Sequence, residues 1–122
     1  MANLLIVDDE ADVREFAANF FRKRKIEVLT AASGEESLDI LEKKKPNLVL
    51  LDIKMPGIDG IETLRRIKEK DKNTKVIMVT SRKPEEEDAF EKSRQLGAMG
   101  YIHKPLELDE LERVVMDALK KP

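Results

Sequence analysis

Three stretches of this chain are aliphatic without interruption: Leu4-Leu5-Ile6-Val7, Leu48-Val49-Leu50-Leu51 and Val76-Ile77-Met78-Val79. A strand with one face in water alternates apolar and polar side chains, so runs with no polar member fit strands covered on both faces. Such coverage requires helices above and below, and the intervening segments supply them. Leu38 with Leu41, then Ile61 with Leu64 and Ile67, recur at helical spacing. Two further strands are weaker: Glu27-Val28-Leu29-Thr30-Ala31 alternates like an edge strand, and Met99-Gly100-Tyr101-Ile102 is short. Five strands alternating with five helices predict an α/β fold, a doubly wound (βα)5 domain whose parallel sheet is joined by right-handed crossovers. The length, 122 residues, suits a single domain over 1–122.

The helices can be phased in more detail. Val13, Phe16, Ala17, Phe20 and Phe21 form one apolar stripe, which closes in the basic run Arg22 to Lys25, where cations suit a helix C-terminus. Ser33 with Glu36, and Asp59 with Glu62, have capping-box spacing. Pro84 suits a first helical turn, with Glu85 to Asp88 at its positive end. Ala89, Phe90, Ser93 and Leu96 are expected to face inward, as are Leu108, Leu111, Val114, Val115, Ala118 and Leu119 on the last helix. Met78 and Met99 are read as core residues.

Charge and composition exclude several classes of function. Lys and Arg number 23 against 25 Asp and Glu, so a net charge of −2 gives no general attraction to nucleic acid or to an anionic membrane. There is no cysteine, which excludes a disulfide frame, thiolate catalysis and a Cys-ligated metal. No apolar run reaches spanning length and the start does not read as a signal peptide, so a soluble, cytoplasmic chain is expected.

The chemistry gathers at the carboxyl ends of the strands. Asp8 and Asp9 follow the first, Asp52 ends the third, Thr80 the fourth, and Lys104 follows the fifth. In an open parallel sheet these ends share one edge, where ligands bind. Each residue alone has an ordinary explanation: Asp9 as a helix cap, Asp52 as a turn former, Thr80 as a strand end, Lys104 as a solvated cation. Together they are more specific. Crowded carboxylates repel, and a hard divalent cation such as Mg²⁺ relieves the repulsion through oxygen ligands. A hydroxyl and an ammonium beside one carboxylate then suit phosphoryl transfer, with Asp52 as nucleophile.

In this order, Val7-Asp8-Asp9, Leu51-Asp52, Met55-Pro56-Gly57, Val79-Thr80-Ser81, Gly97-Ala98 and Tyr101 through Lys104-Pro105 resemble the receiver domain of two-component response regulators, over essentially the whole chain. The resemblance implies a flavodoxin-like sheet of order 2-1-3-4-5. It also implies that Asp52 accepts a phosphoryl group from the phosphohistidine of a sensor histidine kinase or phosphotransfer protein. Asp9, Asp52 and the backbone carbonyl of Lys54 would hold Mg²⁺, with Asp8 acting largely through water. Lys104 would pair with the phosphoryl group, and its bond to Pro105 is expected to be cis. Thr80 and Tyr101 would be the switch residues, remodelling the face made by the fourth helix, fifth strand and fifth helix for an output domain or protein. Lys54 and Arg82 would flank the path of hydrolytic water and modulate the lifetime of the phosphoryl group.

Three other classes compete, one of them a flavodoxin-type cofactor binder, which needs a hydroxyl- or Gly-rich phosphate loop after its first strand where this chain has Asp8-Asp9-Glu10. An aspartyl-phosphate phosphohydrolase shares a nucleophilic Asp after a strand, but resembles Asp-x-Asp where this chain has Lys54. A non-phosphorylated interaction module on the same fold has no need of the acid, hydroxyl and lysine set. His103 has no His or Cys companion, so a solvated or interface role is expected in preference to metal ligation.

Overall fold

The structure, a computed structural model, describes residues 3–81 and 87–121. Arg82 and the proline-led helix start at Pro84, Glu85 and Glu86 lie outside the described residues. Five strands and five helices alternate: β1 (Asn3–Val7), α1 (Ala11–Arg22), β2 (Glu27–Ala31), α2 (Gly34–Lys43), β3 (Leu48–Asp52), α3 (Gly60–Lys70), β4 (Val76–Thr80), α4 (Glu87–Gln95), β5 (Gly100–His103) and α5 (Leu108–Lys120). All pairings are parallel and the sheet order is β2-β1-β3-β4-β5, as expected. β3 and β4 are buried at every position, which is why their sequences lack polar members until the final Asp52 and Thr80. β2 lies at an edge and has the interrupted burial its alternation foretold.

Strand alternation divides the aliphatic residues between two cores. Leu4, Ile6, Leu50, Val79 and Ile102 pack with Phe21 of α1 and Leu111 and Val115 of α5. Leu5, Val7, Leu51 and Met78 face the other way, against Leu64 and Ile67 of α3 and the partly buried Leu38 and Leu96. The helix ends follow local chemistry. Ser33 Oγ accepts from the Glu36 amide at 3.0 Å, while the Glu36 carboxylate accepts from Ala32 N. Asp59 accepts from the Glu62 amide at 2.9 Å, although the Glu62 side chain turns to Arg65 and Arg66 instead of closing a box.

Four apolar residues are more exposed than their periodicity suggests: Phe16 (48%), Phe90 (41%), Leu108 (41%) and Met99 (39%). In α1 the buried side chains are Ala17, Ala18 and Phe21, so the helix is rotated to carry Phe16 onto its flank. Phe90 leaves the core to stack on Tyr101, with ring centroids 4.1 Å apart. Leu108 is the first residue of α5, ahead of the turn that reaches the sheet at Leu111. Met99 lies before the start of β5, outside the covered part of the sheet.

One contact ties the fold directly to the strand end that matters. Gly60 opens α3 and donates its amide to Ile53 O at 2.6 Å. A Cβ there would lie 2.2 Å from the Asp52 carbonyl oxygen. Only a residue without a side chain lets α3 start this close to the end of β3. Gly57, with φ of +77°, makes the preceding turn.

Candidate functional site

Parallel pairing brings the carboxyl ends of β1, β3, β4 and β5 to one edge, and Asp8, Asp9, Asp52, Thr80 and Lys104 gather there. Asp8 and Asp52 are both only 4% exposed, whereas Asp9 is exposed. One carboxylate oxygen from each of Asp8, Asp9 and Asp52 lies within 4.8 Å of the others. The N-cap position of α1 is Glu10, with no side-chain cap bond, so Asp9 is not held there by capping. Asp8 is fixed instead: its Oδ1 accepts from Glu10 N at 2.9 Å, and its carbonyl accepts from the Arg14 guanidinium at 2.8 Å.

Lys104 reaches into this group from the end of β5. Its Nζ is 3.1 Å from Asp52 Oδ2, 3.3 Å from Asp8 Oδ2 and 3.2 Å from Glu10 Oε1. Its backbone amide donates to Thr80 O at 2.7 Å, and the Lys104–Pro105 peptide is cis, as expected. Lys54, Met55 and Ser81 line the same cleft. Thr80 is buried, and its hydroxyl is 2.7 Å from Nδ1 of His103. Tyr101 is half-buried and donates its hydroxyl to Phe90 O at 3.1 Å.

The electrostatics follow from this crowding. Burial pushes the Asp52 carboxyl up to about 6, reinforced by the neighbouring Asp8 charge and opposed by Lys104. Asp8 is raised for the same first reason, burial, against the Glu10 amide and the Lys104 charge. For Lys104, burial acts to depress the pKa, but the Asp52 and Asp8 carboxylates outweigh it and hold the ammonium protonated. Asp8, Glu10 and Asp52 thus share the Lys104 ammonium, with an Asp9 carboxylate oxygen beside those of Asp8 and Asp52. An all-oxygen, electron-rich set with buried members whose ionisation is resisted is a donor set that fits a hard divalent cation.

Glu10 and His103 take part in ways their sequence context does not reveal. Glu10 directly follows the acidic pair, and its contact with Lys104 depends on how α1 begins. His103, expected to be solvated or at an interface, instead bonds to Thr80; the two residues are register partners across β4 and β5. A strand alignment of the two ends would have paired them, but the sequence alone does not fix that register.

Comparisons with known proteins agree with this geometry. The family model for the response regulator receiver domain matches residues 4–116. Sporulation initiation phosphotransferase F of Bacillus subtilis is 42% identical over 118 residues, covering 97% of this chain and 90% of that protein. The crystal structure of a CheY-like response regulator receiver domain protein from Methanospirillum hungatei superposes with a TM-score of 0.91 at 30% identity, covering 98% of this chain and 94% of that one. The response regulator protein TrrA of Thermotoga maritima, solved in complex with Mg²⁺ and BeF, has a TM-score of 0.84 at 34% identity, covering 97% of this chain and 99% of that one. Among the described residues, no helix is long and apolar enough to cross a membrane.

Proposed function

The chain belongs to the response regulator receiver domain family, and from that premise we propose that Asp52 is the residue that takes up the phosphoryl group. Receiver domains are signalling modules of two-component systems, not conventional enzymes, and they bind Mg²⁺ at their acidic site. The observation that carries the assignment is the position of Asp52 at the end of the central strand, with its Oδ2 3.1 Å from Lys104 Nζ and beside two further carboxylates.

In the proposed reaction an Asp52 carboxylate oxygen attacks the phosphorus of a phosphohistidine. The new O–P bond forms as the P–N bond breaks, and the electron pair stays on the imidazole nitrogen of the donor. Attack requires the ionised carboxylate, and burial works against that form. Asp9, Asp52 and the Lys54 carbonyl would hold Mg²⁺, with Asp8 acting through water; when bound, the cation offsets negative charge between the carboxylates and the incoming phosphoryl oxygens. Lys104, already fixed by Asp52 and Asp8, can turn its ammonium to a phosphoryl oxygen without leaving the cleft. Thr80 would offer its hydroxyl to another phosphoryl oxygen.

Signalling follows from the position of Thr80. It ends the strand that borders β5, and Tyr101 on β5 contacts α4 through Phe90. Drawing the Thr80 hydroxyl toward Asp52 would therefore perturb the α4-β5-α5 face, which an output domain or protein would read. Lys54 and Arg82 would set how long the phosphoryl group lasts: neither cation can accept a hydrogen bond from attacking water, so slow decay is proposed.

The test is mass spectrometry after exposure to a small phosphodonor with Mg²⁺. One added phosphoryl group is expected on the wild type and none on Asp52→Asn. An unaltered gain on Asp52→Asn would overturn the assignment.

A further inference from the structure

The hydrogen bond between Thr80 and His103 lies on the wrong side of Thr80 for the role proposed for that hydroxyl. In the sheet, β4 runs between β3 and β5. Asp52 ends β3 and is the register partner of Val79, so it flanks Thr80 on one side. His103 ends β5 and is the direct register partner of Thr80 on the other. The hydroxyl oxygen stands 2.7 Å from His103 Nδ1. Strand alternation puts both side chains on the face of the sheet that carries Met78 and Tyr101. Thr80 is buried, so no surrounding water competes freely for its hydroxyl.

We infer that His103 is a positioning residue that holds the Thr80 hydroxyl away from Asp52, so that imidazole and phosphoryl oxygen compete for one hydroxyl. Whichever partner donates, the bond directs Oγ1 toward β5, whereas a phosphoryl group on Asp52 would lie on the β3 side of β4, to be reached by rotation about the Cα–Cβ bond. That rotation gives up the bond to His103. A threonine is suited to such a two-position device because its χ1 is confined to a few staggered wells. The bond thus favours the unphosphorylated arrangement and lowers the affinity of the site for a phosphoryl group by its net worth. The inference rests on the assignment of Thr80 as a phosphoryl contact.

The test is a double-mutant cycle with beryllofluoride in MgCl₂ as the phosphoryl mimic, read by titration, together with the Thr80 χ1 rotamer of the unliganded protein from methyl NMR couplings. His103→Phe removes the partner and keeps an aromatic ring. It should tighten beryllofluoride binding roughly 2- to 10-fold, the range set by the net worth of one neutral hydrogen bond. The same substitution in a Thr80→Val background should change nothing. In the unliganded protein, Thr80 should pass from one rotamer to an average of several. His103→Asn, whose amide can occupy the place of Nδ1, should restore both the wild-type affinity and the single rotamer. An equal effect in the two backgrounds, a weaker affinity in His103→Phe, or an unchanged rotamer would overturn the role of His103 while leaving that of Thr80 standing. If Thr80→Val alone binds beryllofluoride like the wild type, the contact assigned to Thr80 fails and this inference falls with it.

Discussion

Replacing the central carboxylate should stabilise the resting protein at neutral pH. Asp52 is buried beside Asp8, and its pKa is raised from 3.8 to about 6. The folded chain therefore binds more protons than the unfolded chain between about pH 4 and pH 6. The contribution of Asp52 to stability is greatest below that window and falls as pH rises through it. Two pKa units correspond to about 3 kcal/mol, reduced to about 2 kcal/mol once solvent screening at the cleft mouth is allowed for. Asn resembles the protonated acid in shape and charge, so Asp52→Asn should recover this amount at pH 7.5. In a chain of 122 residues, that raises Tm by about 8 °C. The attraction between Asp52 and Lys104 does not reverse the sign, because the raised pKa is already the balance of all its neighbours. Urea denaturation without divalent cations, at pH 4.5 and pH 7.5, measures the effect. The gain should shrink to about a third at pH 4.5, which lies inside that window, and a smaller pH slope should remain because burial raises Asp8 as well. If Asp52→Asn is no more stable than the wild type at pH 7.5, or gains equally at both pH values, the crowding argument is wrong.

Mg²⁺ should raise the Tm of the wild type by mass action, and Asp9→Ala should lose most of that rise; an undiminished shift in the variant would remove Asp9 from the ligand set. Gly60→Ala sets a methyl group against the Asp52 carbonyl and should cost about 1–3 kcal/mol in denaturant unfolding, with the amide signals at the end of β3 displaced. Wild-type stability in that variant would mean that α3 can retreat freely from β3. The phosphorylated protein should lose its phosphoryl group slowly, and the Lys54→Asn, Arg82→Glu double variant faster, because an amide or acid can orient the attacking water. Decay in the variant at the wild-type rate or below would remove these two positions from the control of lifetime.

The fold was legible in the sequence because burial on two faces leaves an unambiguous mark. Leu48 to Leu51 and Val76 to Val79 have no polar member because each lies between two helical layers, and a pattern that local needs no knowledge of the rest of the chain. Asp52 and Thr80 stood out for a related reason: each marks the point where an apolar run stops, Lys104 comes two residues after the last apolar member of its strand, and in a parallel sheet all such points share an edge. Other features were decided only by tertiary structure. Periodicity says that a helix has an apolar side but not how that side is rotated against the sheet, so Phe16 and Phe90 fell outside the core. The raised pKa of Asp52 is likewise a sum over burial and charges from distant parts of the chain. The contacts of Glu10 with Lys104 and of His103 with Thr80 join residues 94 and 23 positions apart. Local propensity carries no information on such pairs. They exist because the register of β5 on β4 and the entry of α1 are set by packing of the whole domain, and a shift of one residue in either would separate them.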